Sequence, residues 1–167
     1  MNIKQNILEQ VCSNNACTLG IDKLLDSSTK PEFIDCYFQY IDFCLAKKAP
    51  SVEFIRSHFE NKILTENGVY ANATDSAHNL RRCAIIGKSD MVLDYTGYSV
   101  GRVYVADSSR AEINATGNAY VVVDAIDAAE ILVKASEDAR VTVNAYSGTK
   151  VSGNAIVIHK NTTTYEL

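Results

Sequence analysis

The second half of the chain repeats itself every ten residues. The blocks "SRAEINATGN", "AYVVVDAIDA", "AEILVKASED", "ARVTVNAYSG" and "TKVSGNAIVI" follow one another without a gap, and "SDMVLDYTGY" and "SVGRVYVADS" precede them with a looser fit. A fixed short period is the mark of a repeat architecture, and it limits the fold before any single residue does. Within each block the hydrophobic period is two, the period of a strand.

One face of each strand runs small, branched, branched, small: Ala119, Val121, Val123, Ala125, then Ala129, Ile131, Val133, Ala135, then Ala139, Val141, Val143, Ala145. The other face carries charges, amides and tyrosines. Between strands, "TGN", "SED" and "YSG" hold the residues that tight turns favour. One face is therefore core and the other solvent.

Two folds could use such strands, a meander and a β-solenoid. In a meander, Asp124 would face Glu130 and Lys134 would face Arg140, and like charges directly opposite are destabilising. A step of twenty residues instead stacks Arg110, Glu130 and Lys150 in one surface column and Asn114, Lys134 and Asn154 in another. Alanine at both strand ends suits an interior that is wide in the middle and narrow at the turns. The expectation is an α+β chain in which a small helical domain precedes a β-solenoid of about four coils, each coil made of two seven-residue strands over roughly twenty residues.

The first half has the helical period. In "TKPEFIDCYFQYIDFCLAKK", Thr29 and Glu32 are spaced as a capping box and Pro31 falls in the first turn. Ile34, Tyr37, Phe38, Ile41 and Leu45 share one face. In "APSVEFIRSHFENKIL", Ser51 is the expected cap and Val52, Ile55, Phe59 and Ile63 the expected buried face. Ile3, Ile7, Leu8 and Val11 give a further helix, and "GIDKLLDSS" another. The expected divisions are a helical domain over 1–66, a connector over 67–88, the solenoid over 89–160 and a tail over 161–167. The helices are expected to cover one end of the stack, with the tail or a second subunit closing the other, because an uncapped coil exposes an unpaired edge.

The blocks around "AEILVKASEDARVTVNA" resemble the short alternating Ala/Val-repeat β-solenoid proteins of phages and mobile elements, and more distantly the pentapeptide-repeat β-helices. The resemblance covers roughly residues 89 to 160. The central Leu or Phe of pentapeptide repeats, and their five-residue polar register, are absent here. What the resemblance implies is a small accessory factor that counters a host defence; it transfers no functional residue.

Composition narrows the function. Sixteen basic and twenty acidic residues, with no basic stripe, leave nucleic acid without an electrostatic footprint. The opening "MNIKQNILEQ" lacks the apolar core of a secretion signal, and no apolar run has the length of a membrane span, so a cytoplasmic protein is expected. Five cysteines without a CxxC pair are read as buried small hydrophobes.

No catalytic set assembles from the sequence. The three histidines, His58, His78 and His159, are scattered, and no metal or cofactor is expected. The acids near the turns, Asp124, Asp127, Glu130, Glu137 and Asp138, are read as solvated turn residues rather than as a calcium or acid/base site. "GYSVG" over 97–101 lacks the spacing of a nucleophile elbow.

Two expectations of function follow. The first is a non-enzymatic binding or assembly protein that presents a rigid surface to a protein partner or to itself, with the column Arg110, Glu130 and Lys150 as its exposed face. The second is a protein that sequesters a small anionic ligand at Arg81 and Arg82 in the connector.

Overall fold

The computed structural model of the chain describes residues 2–167. It divides into two compact units, one of residues 2–67 with 165–167 and one of residues 68–164.

The helical unit contains α1 (Ile3–Ser13), α2 (Thr18–Asp26), α3 (Lys30–Gln39), α4 (Ile41–Lys47), α5 (Val52–His58) and α6 (Asn61–Glu66). The capping box at Thr29 and Glu32 is formed: the Thr29 hydroxyl accepts from the Glu32 N–H, and the Glu32 carboxylate accepts from the Thr29 N–H. The Ser51 hydroxyl accepts from the Phe54 N–H at 3.2 Å, as its position predicts. The two long helices expected are each broken in two. Tyr40, with φ −119° and ψ 37°, interrupts the first within the run Tyr37–Phe43, whose aromatic and β-branched residues hold a helix weakly. Phe59, extended at φ −115° and ψ 132°, interrupts the second. The broken axis changes which residues go inside. Phe54 and Leu64 are buried, whereas Val52 and Ile63, expected on the buried face, are half-buried.

The second unit is the solenoid. Its strands are β1 (Val69–Ala71), β2 (Thr74–His78), β3 (Arg82–Ile86), β4 (Asp90–Tyr95), β5 (Val100–Val105), β6 (Arg110–Ala115), β7 (Tyr120–Ala125), β8 (Glu130–Ala135), β9 (Arg140–Ala145), β10 (Lys150–Gly153) and β11 (Ile156–His159). They form two parallel sheets, one in the order β1-β3-β5-β7-β9-β11 and the other β10-β8-β6-β4-β2. From β3 to β8 each strand pairs with the strand twenty residues on, for example Val121 with Val141 and Ile113 with Val133. The meander is excluded and the coil is as the charges require.

The inward residues form the core. Ile113, Val123 and Val143 have no exposed surface, and Val133 is 1 % exposed. Tyr95 breaks the small–branched–small order with a bulky ring that is itself buried, and its hydroxyl donates to the Leu80 carbonyl at 3.0 Å. Gly101 makes the room for it. A methyl group there would clash with the Tyr95 ring.

The four coils expected from residue 89 onward are present as β4–β11, and the stack begins before them. The connector expected over 67–88 is β1, β2 and β3, so the solenoid starts at Gly68. This first coil escapes the ten-residue period because it is shorter: Val69 pairs with Ala84, and Thr74 with Asp90. The last coil is shorter as well. The block "TKVSGNAIVI", expected to form one strand, folds at Gly153 into β10 and β11, and Ile156 pairs with Thr142, fourteen residues back. Gly153 has φ +86°, and a Cβ there would strike the Val133 carbonyl, so the corner needs glycine.

Candidate binding site at the open end of the solenoid

The outer faces are ladders of side chains held by the twenty-residue step. Arg110 lies in register with Asp90 on one side and Glu130 on the other, and Glu130 with Lys150. Arg110 reaches Asp90 at 3.3 Å, and Lys150 reaches Glu130 at 2.7 Å. The Lys150 hydrogen bond holds the Glu130 carboxyl below the usual carboxylate range. The predicted column is therefore real, and it extends one residue further, to Asp90. Its charges are met within the chain, which makes the face stiff but leaves it little unpaired charge to offer.

The second predicted column is not continuous. The Asn114 amide donates to Asp94 at 2.9 Å and Lys134 pairs with Glu112 at 2.6 Å, but Asn154 lies beyond β10 and clasps the Ala135 N–H and carbonyl instead. On the other sheet, Arg102 donates to the buried Asp124 at 2.6 Å, and the Asn144 amide donates to the other carboxylate oxygen at 2.6 Å.

The turn acids have structural work. Asp107 and Asp127 take positive φ, and each carboxylate accepts an N–H of the preceding coil, from Gly87 and from Asp107. Glu137 accepts from the Gly117 N–H in the same way. Among the described residues no three His, Cys, Asp or Glu side chains are grouped as a metal ion would require.

Arg82 opens β3 and Arg81 immediately precedes it, so both belong to the solenoid unit rather than to a connector. Arg82 is in register with Arg102, whose guanidinium is committed to Asp124. The cysteines also divide. Cys36, Cys44 and Cys83 are buried, but Cys12 and Cys17 are exposed, which corrects the expectation that all five are interior. Cys17 is the N-cap of α2, its Sγ accepting from the Gly20 N–H at 3.4 Å.

What the ladders lack is found at the last coil. β11 ends one sheet and β10 ends the other, so each has one hydrogen-bonding edge without a strand on it. The tail does not close this end. After Lys160 its carbonyls run back across the earlier turns, where Thr162 accepts from Ser147 N–H and Thr163 from Asp127 N–H, both at 2.8 Å. Ile156 and Ile158 point outward, 54 % and 46 % exposed, in columns that Thr142 and Asn144 occupy one coil earlier. A cleft of about 740 Å³ opens at the same coil, lined by the inward Val151 and Val157 and by Lys150, His159 and Lys160 rather than by the two isoleucines. Nothing in the ten-residue pattern announced this site. The signal available was the run "AIVI" at 155–158, where the preceding block has the turn residues "AYSG".

A second cavity, of about 540 Å³, lies in the helical unit among α1, α2, α3 and α4. Ile7, Val11, Leu24 and Tyr37 give it apolar walls, and Asn14, Tyr40 and Lys47 contribute polar groups. Gly20 also lines it. A methyl group at Gly20 would make ordinary contacts, 3.5 Å from the Cys17 sulfur and 3.6 Å from the Tyr40 ring, so packing does not demand a glycine there.

No protein family, no curated protein and no solved structure matches this chain. No residue acquires a role by relationship, and the candidate sites rest on geometry. No helix among the described residues is long and apolar enough to cross a membrane.

Proposed function

We propose that this chain is a non-enzymatic binding and assembly protein, a rigid β-solenoid that engages a protein partner through its last coil. The observation that carries the reading is the unpaired edge of β11 with Ile156 and Ile158 exposed beside it. Natural sheets blunt or cover such edges, and one left open with apolar neighbours suits addition of another strand. The likeness of the repeats to Ala/Val-repeat proteins of phages and mobile elements supports a setting in which the partner belongs to a host defence. The test is a photo-crosslinking residue placed at position 158 and, separately, at the exposed turn position 98. A discrete protein adduct from 158 and none from 98 is the expected result; equal or diffuse adducts from both would refute the reading.

A second reading, sequestration of a small molecule, is supported by the cavity of the helical unit. Gly20, in the first turn of α2, lines the cavity without a side chain although packing leaves room for one. Native mass spectrometry of the purified protein would detect a bound molecule, and Gly20→Leu, which fills the lining, should remove it. A bare protein under all growth conditions counts against this reading.

A further inference from the structure

This inference rests on the binding role proposed above and names the partner's chemistry. We propose that β11 accepts an extended partner segment that alternates β-branched or aromatic residues with glutamate or aspartate.

The backbone sets the mode. β11 is hydrogen-bonded to β9 along one edge, and the tail departs toward Ser147 and Asp127, leaving the other edge clear. The added strand would continue a parallel-sheet ladder whose side chains alternate between faces.

The side chains set the apolar half of the pattern. Along the outer face, Arg102, Val122 and Thr142 are followed by Ile156, and Tyr104, Asp124 and Asn144 by Ile158. In these two columns both outward residues are aliphatic only on β11, which is where a further strand would cover them.

Charge sets the other half. Between Ala139 and Tyr165 there is no aspartate or glutamate, while Arg140, Lys150, His159 and Lys160 all fall in this stretch, in a chain of formal net charge −4. Lys150 is paired with Glu130, but among the described residues neither Arg140 nor Lys160 has a carboxylate partner. A second copy meeting the same edge would set these cations against themselves; the acids of an incoming strand, alternating to the side away from Ile156 and Ile158, would face the cleft that Lys150, His159 and Lys160 line. At the opposite end of the stack, the terminal β2 exposes Thr74, Asp75, Ser76 and His78, a polar edge without this character.

The experiment uses the full chain and a fluorescein-labelled synthetic peptide alternating valine with glutamate, with a valine–lysine peptide as control, titrated by anisotropy at low and high salt. Two variants are compared after their melting curves are shown to match the parent: Ile156→Thr with Ile158→Asn, which places the β9 residues on β11, and Lys160→Glu. The acidic peptide should bind, more weakly at high salt, and the lysine peptide should not. The isoleucine variant should lose about tenfold in affinity and Lys160→Glu about fivefold. Equal binding of both peptides, no binding of the acidic one, or unaltered binding by both variants overturns the inference. If the acidic peptide fails but the chain self-associates through Ile156 and Ile158, the acidic partner is refuted and the binding role stands. If the isoleucine variant changes neither peptide binding, self-association nor crosslinking from position 158, both are refuted.

Discussion

Asp124 and Asn144, twenty residues apart, lie in register on adjacent parallel strands, and the Asn144 amide donates to the Asp124 carboxylate at 2.6 Å while Arg102 binds its other oxygen from the coil on the opposite side. Three coils are thus fastened through one carboxylate that is 3 % exposed. Asp124→Ala should destabilise the solenoid by about 2 kcal/mol, since it leaves a guanidinium and an amide without their acceptor. In a double-mutant cycle with Arg102→Ala, the second change should cost far less than the first, because both partners are then gone. Chemical denaturation of the three variants measures this; additive losses would show that the two residues do not act together.

Val133 tests which face is inside. It is 1 % exposed and in register with Ile113, so Val133→Asp buries a charge with no partner in an apolar interior. Loss of the β signal in circular dichroism is the expected outcome. A soluble variant with the parent's spectrum and melting curve would contradict the inward assignment.

Gly101 and Tyr95 are packed directly against each other in the core. Gly101→Ala puts a methyl into the Tyr95 ring and should cost about 1–3 kcal/mol, as overpacking does. Gly101→Ala combined with Tyr95→Val should recover much of that loss, which a melting comparison would reveal.

Thiol chemistry reports the division of the cysteines. Cys12 and Cys17 are exposed; burial raises the thiol pKa at Cys36, Cys44 and Cys83 above its ordinary value. A thiol reagent at neutral pH should modify two positions in the folded protein, Cys12 and Cys17, and the other three only on unfolding. Mass mapping of the labelled sites settles it, and fast labelling at Cys83 would mean that the first coils open readily.

Glu130 gives a pH signature. The Lys150 hydrogen bond and charge depress its carboxyl in the folded state, and Arg110 adds to the effect. A depressed carboxyl contributes stability that is present above the unfolded value and lost as the pH falls through the folded one. Carboxyl titration by NMR should place Glu130 below an ordinary glutamate, and Lys150→Met should return it toward that value. High salt should shrink the shift, since both groups lie on the surface.

The fold was legible wherever one residue's environment repeats. Alternation of apolar residues fixed which face is buried, and the signs of Arg110, Glu130 and Lys150 fixed the twenty-residue step, because unlike charges can stack and like charges cannot. Thr29, Glu32 and Ser51 announced their helix starts through local hydrogen bonds that need no tertiary partner.

What sequence could not reveal depends on backbone pairing and on what lies beyond the chain's neighbours. Parallel strands bond through main-chain groups, so the shortened first coil, Val69 on Ala84, stacks as well as a full one while leaving no period to read. The same holds for the short last coil, where the corner at Gly153 puts "IVIH" onto the other sheet and makes it an edge. By itself the sequence determined the strand period, the buried face and the stacking step, since those are written in side-chain chemistry. Only the tertiary structure decided where the stack begins, where it ends and which residues stand at the open end, because those are set by hydrogen bonds between backbones.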